Sequence, residues 1–277
     1  MLPEDLFLNR YSIVEQPKTT GHSQVAQAWD TQLHRSVALK RLSLSSKYSE
    51  EAIKIFKERL EREAKILGGI KHPNIGMVYD FIKDPPTIVM QWVEGKSLDQ
   101  TWEHGNGLPA TKVIRLGIKL AKALDHIHTK KPQVIHRDIK PENIIMQEDG
   151  QPILIDFDIA RAVGRVETII PYDENGNILS SVEIGTRGYY APEQRTDSQH
   201  VTDRADIYAL GVVLYEALTG GDKLDLSSHR DIPQHLTIPA QLWQILRAML
   251  SEDPHHRPSA QQLYRRLERC LPRRKNA

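Results

Sequence analysis

The stretch His136–Asn143, HRDIKPEN, continues over residues 143–158 as NIIMQEDGQPILIDFD. It places charged and amide side chains between apolar runs such as QVI and NIIM. Buried polar groups cost free energy unless they are paired. The segment is therefore either a surface loop or a loop whose side chains have partners that offset this cost.

The apolar runs NIIM and PILIDF flank the turn signal Glu148-Asp149-Gly150, which predicts a β-hairpin. A reversal about residues 149 and 150 would set Asn143 opposite Asp156 at the open end, with Asp138 just upstream. One amide and two carboxylates would then converge, as suits a hard cation such as Mg²⁺. The alternative is that these side chains make loop hydrogen bonds and that Asp156 caps a turn.

A second unusual pair consists of a lysine in a strand and a glutamate in a helix. Lys40 lies in the apolar run VALK, and Glu63 shares the apolar face of a predicted helix over residues 49–67 with Phe56, Leu60 and Leu67. Each charge would be costly to bury alone, so each is expected to have a partner. Alternatively, Glu63 lies at the edge of the face and Lys40 extends to water.

Composition restricts the classes of protein. The 277 residues are enough for one large domain or two lobes, and a net charge of +1 gives no reason to expect nucleic acid or an anionic membrane as a partner. The single cysteine, Cys270, excludes an intramolecular disulfide and indicates a reducing, cytoplasmic compartment. The first ten residues lack a secretory signal pattern, and the longest apolar run, residues 207–218, is too short for a membrane span.

Patterns along the chain change character near residues 93–95. Residues 11–45 read as several antiparallel strands, followed by the helix at 49–67 and a strand at 88–93. Helical periods dominate afterwards. The clearest is one predicted buried face formed by Val113, Leu116, Leu120, Leu124 and Ile127.

Taken together, VALK, Glu63, HRDIKPEN and DFD resemble the eukaryotic-type (Hanks-type) serine/threonine protein kinase family. GTRGYYAPE (185–193), DRADIYALGVVLYEALTG (203–220) and DPHHRPSAQQL (253–263) also resemble family motifs in family order. The similarity runs from about Tyr11 to Leu267. It implies an α+β, bilobal kinase fold, with a β-rich N-terminal lobe over residues 1–93 and a mainly helical C-terminal lobe over residues 94–277.

The resemblance also implies site residues and cofactors. Asp138 would accept the substrate hydroxyl's proton, Lys140 would neutralise the transferred phosphoryl group, and Glu63 would hold Lys40 against the α- and β-phosphates. Asn143 and Asp156 would bind Mg²⁺, with Mn²⁺ as the alternative metal. The implied ATP-binding set comprises Lys40, Val25, Ala38, Met90 as gatekeeper, the backbone of Gln91 and Val93, Thr20 and Gly21.

Further implied features concern regulation and partners. Lys140 and Thr186 resemble the serine/threonine branch, so protein substrates with Ser or Thr acceptors are expected. Arg137 resembles kinases whose activation segment is ordered by phosphate, here on Ser180 or Ser181, with Thr168 as a further candidate. A transient homodimer would allow autophosphorylation in trans. Glu193 and Arg257 match a structural ion pair of the family.

Two departures from the family pattern both concern ATP. Lys18, Thr20 and Ser23 stand where the family has its three loop glycines, with Gly21 one position off, and Asp158 replaces the glycine of DFG. These departures favour an alternative, a pseudokinase that scaffolds or controls a partner and binds nucleotide weakly or not at all. A small-molecule kinase of the aminoglycoside-phosphotransferase type is a third reading, but such proteins lack the GTRGYYAPE segment.

Overall fold

A computed structural model describes residues 6–20, 23–42, 50–103, 105–157, 188–196, 201–221 and 238–272. The expectations for Gly21, Asp158, Thr168, Ser180, Ser181 and Thr186 lie outside these residues. The described chain forms two compact units. Unit 1 comprises the residues up to Lys71 and Ile75–Val93, and unit 2 comprises His72–Asn74 and the chain from Glu94 onward.

Unit 1 is built on an antiparallel sheet with the order β1-β2-β4-β5-β7-β6, and β3 pairs with β4. Antiparallel strands are expected here, since short turns connect most of them. The predicted strand at 88–93 occurs two residues earlier. The strands are β1 Leu6–Phe7, β2 Tyr11–Ile13, β3 Lys18–Thr20, β4 Ser23–Asp30, β5 Arg35–Leu42, β6 Val78–Lys83 and β7 Pro86–Gln91.

Successive side chains of β5 alternate between an apolar core on one face of the sheet and a polar position on the other face. Val37 and Leu39 pack in a buried cluster with Tyr11, Ala28 and Val89. Successive side chains of a strand point to opposite faces, so Ala38 and Lys40 lie on the other face of the sheet. The sheet therefore fixes the side on which Lys40 projects.

The predicted helix at 49–67 is α1, Glu50–Gly68. Its buried face includes Leu60 and Ala64, which pack against Ile88 of β7, and Leu67 is buried as well. Glu63 lies on this same face and is also buried. The periodicity of the sequence thus located both the helix and the unusual carboxylate.

Unit 2 is mainly helical, and its small sheet has the order β10-β9-β8. Its helices are α2 Ala110–His128, α3 Pro192–Thr196, α4 Arg204–Thr219, α5 Ala240–Met249 and α6 Ala260–Glu268; its strands are β8 Lys96–Ser97, β9 Ile144–Met146 and β10 Pro152–Leu154. The five apolar positions predicted for one face of α2 are all buried. Every residue of α4 from Ala205 to Thr219 is buried, so this helix forms the centre of the unit's core. Over the described ranges, no helix is both long and apolar enough to span a membrane.

The predicted hairpin is present, but its register differs by one residue from the prediction. Gln147 N–H donates to the Gln151 carbonyl, and Gly150 N–H donates to the Gln147 carbonyl, so the loop has three residues. Gly150 has a positive φ of 76°, as the last position of such a loop requires. The chain therefore reverses about Asp149, and Asn143 lies opposite Ile155 instead of Asp156.

Candidate active site

The backbone of the loop that begins at His136 is held by a buried carboxylate of α4. Asp206 accepts hydrogen bonds from the backbone N–H groups of His136 and Arg137, both at 2.9 Å. His128 of α2 places its Nε2 2.8 Å from the same carboxylate. Burial alone would raise the pKa of Asp206. The hydrogen bond and charge of His128, together with the hydrogen bond from the Arg137 amide, lower this pKa overall. An ionised Asp206 thus fixes the start of the loop.

His136 connects this loop to the strand end after β10. Its Nε2 lies 3.2 Å from the Ile155 carbonyl, and its Nδ1 lies 3.3 Å from the backbone N–H of Asp138. Complete burial lowers the pKa of the imidazole, which therefore stays neutral. A neutral ring with its proton on Nε2 satisfies both contacts. The ring also packs against Phe157, with centroids 4.2 Å apart.

Three side chains of the loop form a cluster, which we call the loop cluster: Asp138, Lys140 and Asn143. Lys140 Nζ lies 2.7 Å from Asp138 Oδ2, and Asn143 Nδ2 donates to the same oxygen at 2.9 Å and to the Asp138 carbonyl at 2.8 Å. Both charged side chains are about one-fifth exposed. The cluster presents an oriented carboxylate next to a cation, an arrangement able to accept a proton and to stabilise an anion.

Asn143 and Asp156 are the residues predicted to bind a metal ion. Asn143 faces Ile155 across the hairpin, with Ile155 N–H donating to the Asn143 carbonyl at 2.9 Å, so Asp156 follows directly. Asp156 has a φ of 59°, a left-handed conformation that Asp tolerates better than most residues. Because the Asn143 amide nitrogen donates to Asp138, its amide oxygen remains for a cation.

This donor set fits Mg²⁺ held jointly with phosphate. Mg²⁺ typically binds through one or two protein oxygens, with water and substrate phosphates completing its shell. Among the residues that the structure describes, no group of three or more His, Cys, Asp or Glu is arranged for a metal. The oxygens of Asn143 and Asp156 thus suit an ion whose other ligands are water and phosphate.

In unit 1, Lys40 and Glu63 form an ion pair. Lys40 Nζ lies 2.8 Å from Glu63 Oε1, and the two residues are 7% and 8% exposed. Glu63 therefore does not lie at an exposed edge of the helix face, and Lys40 does not extend to water. The pair joins β5 to α1, so it depends on how the helix packs against the sheet.

The remaining residues of the predicted nucleotide set lie on or next to the strands of unit 1. Val25 pairs with Lys40, and Ala38 pairs with Met90. Gln91 lies opposite Val37 at the end of the β5–β7 ladder, and its backbone N–H donates to the Met77 carbonyl at 2.8 Å. Val93 follows directly, and Thr20 lies opposite Ser23 in the β3–β4 ladder.

Arg257 and Glu193 form a bidentate ion pair in unit 2. The Arg257 nitrogens lie 2.6 and 2.8 Å from the two carboxylate oxygens, and the arginine side chain is fully buried. Bidentate geometry is the strongest form of an Arg–carboxylate pair. The pair links the short helix α3 to the turn before α6.

Two polar residues of the buried helix α4 are not assigned by the sequence motifs. Asp206 holds the loop backbone, as described above, and Glu216 accepts a hydrogen bond from Tyr189 at 2.5 Å. A carboxylate inside an otherwise apolar helix is the signal that could have identified both. Their partners could not be inferred, because they lie 27 to 78 residues away in the chain.

Comparison with known proteins identifies the architecture that carries these residues. The family model described as "Protein kinase domain" matches residues 20–266. The chain belongs to the protein kinase domain family. The match includes Lys40, Glu63, the loop cluster and Arg257.

Similar kinase sequences come from several bacteria. A probable serine/threonine-protein kinase of Clostridium perfringens is 36% identical over 214 residues, 76% of this chain and 29% of that protein. The serine/threonine-protein kinase PknD of Mycobacterium tuberculosis is 36% identical over 223 residues, 79% of this chain and 31% of PknD. A probable serine/threonine-protein kinase of Streptomyces coelicolor is 31% identical over 273 residues, 91% of this chain and 38% of that protein. The kinase domain thus spans about a third of the length of these relatives.

Proposed function

We propose that this kinase domain transfers the γ-phosphoryl group of ATP to Ser or Thr hydroxyls of protein substrates. The observation that carries the proposal is the loop cluster, in which Lys140 and Asn143 orient the Asp138 carboxylate. Phosphoryl transfer passes through a loose transition state and leaves little covalent work for the protein. Positioning and charge neutralisation then supply most of the catalysis, and the loop cluster offers both.

Each residue of the loop cluster has a distinct task in this proposal. Asp138 aligns the acceptor hydroxyl and takes its proton, while Lys140 neutralises charge on the transferred group. Asn143 restrains Asp138 through its amide nitrogen and, together with Asp156, offers oxygen atoms to Mg²⁺. Mg²⁺, when bound, supplies charge neutralisation for the nucleotide phosphates.

The Lys40–Glu63 pair supports the binding of ATP in the proposal. A lysine held by a carboxylate keeps its charge in a buried setting and projects it in a fixed direction. Lys40 would donate to the α- and β-phosphates, while Ala38, Val25 and Met90 would contact the base. Thr20 and Gly21 would approach the phosphates from the β3–β4 hairpin.

Three finer features extend the proposal. Preference for Ser and Thr is supported by Lys140 and by the names of the relatives, which are serine/threonine-protein kinases. Phosphorylation of Ser180 or Ser181, recognised through Arg137, would order the activation segment, with Thr186 contacting the loop. A transient homodimer would supply that phosphate in trans. Cytoplasmic location, Mn²⁺ as the alternative metal and the lobe roles of residues 1–93 and 94–277 stay predictions.

The test is phosphate incorporation by the purified chain. With Mg²⁺ and ATP, we expect intact-mass spectra to show added phosphate on the chain and on a generic basic substrate protein. Asp138→Asn removes the proton acceptor while keeping its shape, and should lower the rate by roughly 10²–10⁴-fold.

Asp149→Asn is the matched control, since it removes one exposed carboxylate from the turn of the neighbouring hairpin. This variant should retain the parent rate. A parent chain that transfers no phosphate with either Mg²⁺ or Mn²⁺ would exclude the kinase proposal. An accompanying rise in melting temperature with ATP would then identify a nucleotide-binding pseudokinase.

A further inference from the structure

The segment His72–Asn74 belongs to unit 2, although the residues before and after it belong to unit 1. It lies in the connection between α1 and β6. Two hydrogen bonds anchor it to β10: Asn74 Nδ2 donates to the Pro152 carbonyl at 2.8 Å, and Leu154 N–H donates to the Asn74 carbonyl at 2.9 Å. Residues 72–74 are therefore fastened to β10 within unit 2.

The segment makes a second contact with unit 2 through a pair of imidazole rings. The ring of His72 lies against that of His126 in α2, with centroids 5.4 Å apart and planes tilted by 37°. His72 Nδ1 accepts the backbone N–H of Asn74 at 3.1 Å, so this nitrogen carries no proton in the anchored segment. His126 Nε2 is buried and has no hydrogen-bond partner among the described residues.

The charges around the pair favour neutral rings. Burial lowers the pKa of His72, and the neighbouring His126 lowers it further. Burial likewise lowers the pKa of His126; Lys130 adds to this effect, and Asp125 opposes it. From the β9–β10 hairpin, the segment is contacted by the Gln151 side chain and by backbone groups, which carry no charge.

We propose that the His72–His126 pair is a proton-sensitive latch, which holds residues 72–74 against α2 and β10 while both rings are neutral and releases them on protonation. A proton on His72 Nδ1 would remove the acceptor of the Asn74 N–H group. A proton on either ring would place a cation against the other imidazole and near Lys130. Protonation of either ring would therefore weaken the contacts that hold residues 72–74.

The direction of the pH effect follows from the lowered pKa values. The anchored state disfavours the protonated rings, so the released state binds more protons near the ordinary value of 6.5. The latch is fully stable above that value. Its stability falls as the pH drops below it, until the rings of the anchored state are protonated too.

Amide hydrogen exchange of Asn74 and Leu154, corrected for intrinsic rates, tests the latch on the full chain. Between about pH 7.5 and about pH 5.5 we expect the protection of both amides to fall several-fold. His126→Phe keeps an aromatic ring against His72 but cannot take up a proton. His72→Asn keeps an acceptor for the Asn74 N–H group. Both variants should flatten the pH dependence.

His255→Asn is the matched control, since His255 is an exposed histidine elsewhere in unit 2. It should behave as the parent does. A parent whose Asn74 and Leu154 protection is the same at both pH values would overturn the proposal. So would His126→Phe and His72→Asn variants that lose protection as steeply as the parent.

Discussion

At the scale of single residues, the two candidate clusters show how context sets the chemistry of ordinary side chains. Lys40 and Glu63 are 23 positions apart, and each would be costly to bury alone. The fold brings them within 2.8 Å and keeps water largely away from both. Asp138 differs in being partly exposed, with 21% of its side chain accessible to solvent.

Removing the charge of Glu63 tests the buried pair. Glu63→Gln keeps the size of the side chain but takes away the carboxylate that faces Lys40 Nζ. Because a small displacement of a positioning group is costly, we expect kcat/KM for ATP to fall roughly 10²-fold. Steady-state kinetics with varied ATP measure this change.

Glu61→Gln is the control for this substitution. Glu61 lies in the same helix, where it makes an i,i+4 pair with the exposed Lys65. Such pairs contribute little, so its kinetics should match the parent. If Glu63→Gln and Glu61→Gln gave equal kcat/KM values, the ATP-binding role of the pair would be wrong.

At the scale of elements, α4 is the buried helix at the centre of the core of unit 2. It is apolar over most of its length, and its C-terminal end is closed by Gly220 with a φ of 78°. Residues 105–108 pack against this end, where Leu108 N–H donates to the Ala217 carbonyl and Gly105 N–H donates to the Gly220 carbonyl. A side chain at position 220 would lie 2.4 Å from the backbone nitrogen of Asn106.

Gly220→Ala should therefore destabilise unit 2 through both backbone strain and steric overlap. We expect a loss of about 3 kcal/mol in the free energy of unfolding. Gly150→Ala is the control, because Gly150 also has a positive φ, yet its side chain would meet nothing within 4 Å. Its cost should be about 1 kcal/mol. Urea unfolding followed by circular dichroism would show equal losses if the packing argument were wrong.

At the scale of the whole molecule, distant segments of unit 2 are joined by Arg257. Its guanidinium binds Glu193 in α3, donates to the Arg204, Ser251 and Glu252 carbonyls, and lies 4.9 Å from the centre of the Tyr208 ring. These partners lie between 5 and 64 residues away in the chain. One planar group thus connects α3, the start of α4 and the segment after α5.

Arg257→Lys keeps the positive charge but removes the planar group that makes these contacts. A lysine cannot bind Glu193 in bidentate fashion and also reach the carbonyls. Because the site is buried, we expect a loss of about 3 kcal/mol in the stability of unit 2. Arg247→Lys, at an exposed position of α5, should leave the melting temperature unchanged. Equal melting curves for both variants would contradict this role of Arg257.

Local patterns in the sequence predicted α1, the buried face of α2, several strands within residues 11–45, one near 88–93, the hairpin turn and the kinase motifs. Periodicity is a property of neighbouring residues, so the buried faces of α1 and α2 could be read directly. The one-residue error in the hairpin register had a local cause as well. A two-residue reversal was assumed where Gly150 closes a three-residue loop.

Only the tertiary structure decided which distant groups meet. Asp206 lies about 70 residues from the loop backbone that it holds, and His72 lies 54 positions from His126. The sequence marked Lys40 and Glu63 as costly to bury but gave no distance between them. Pairing of charges and imidazoles depends on long-range packing of helices and strands, and packing of this kind leaves no periodic signal in the chain.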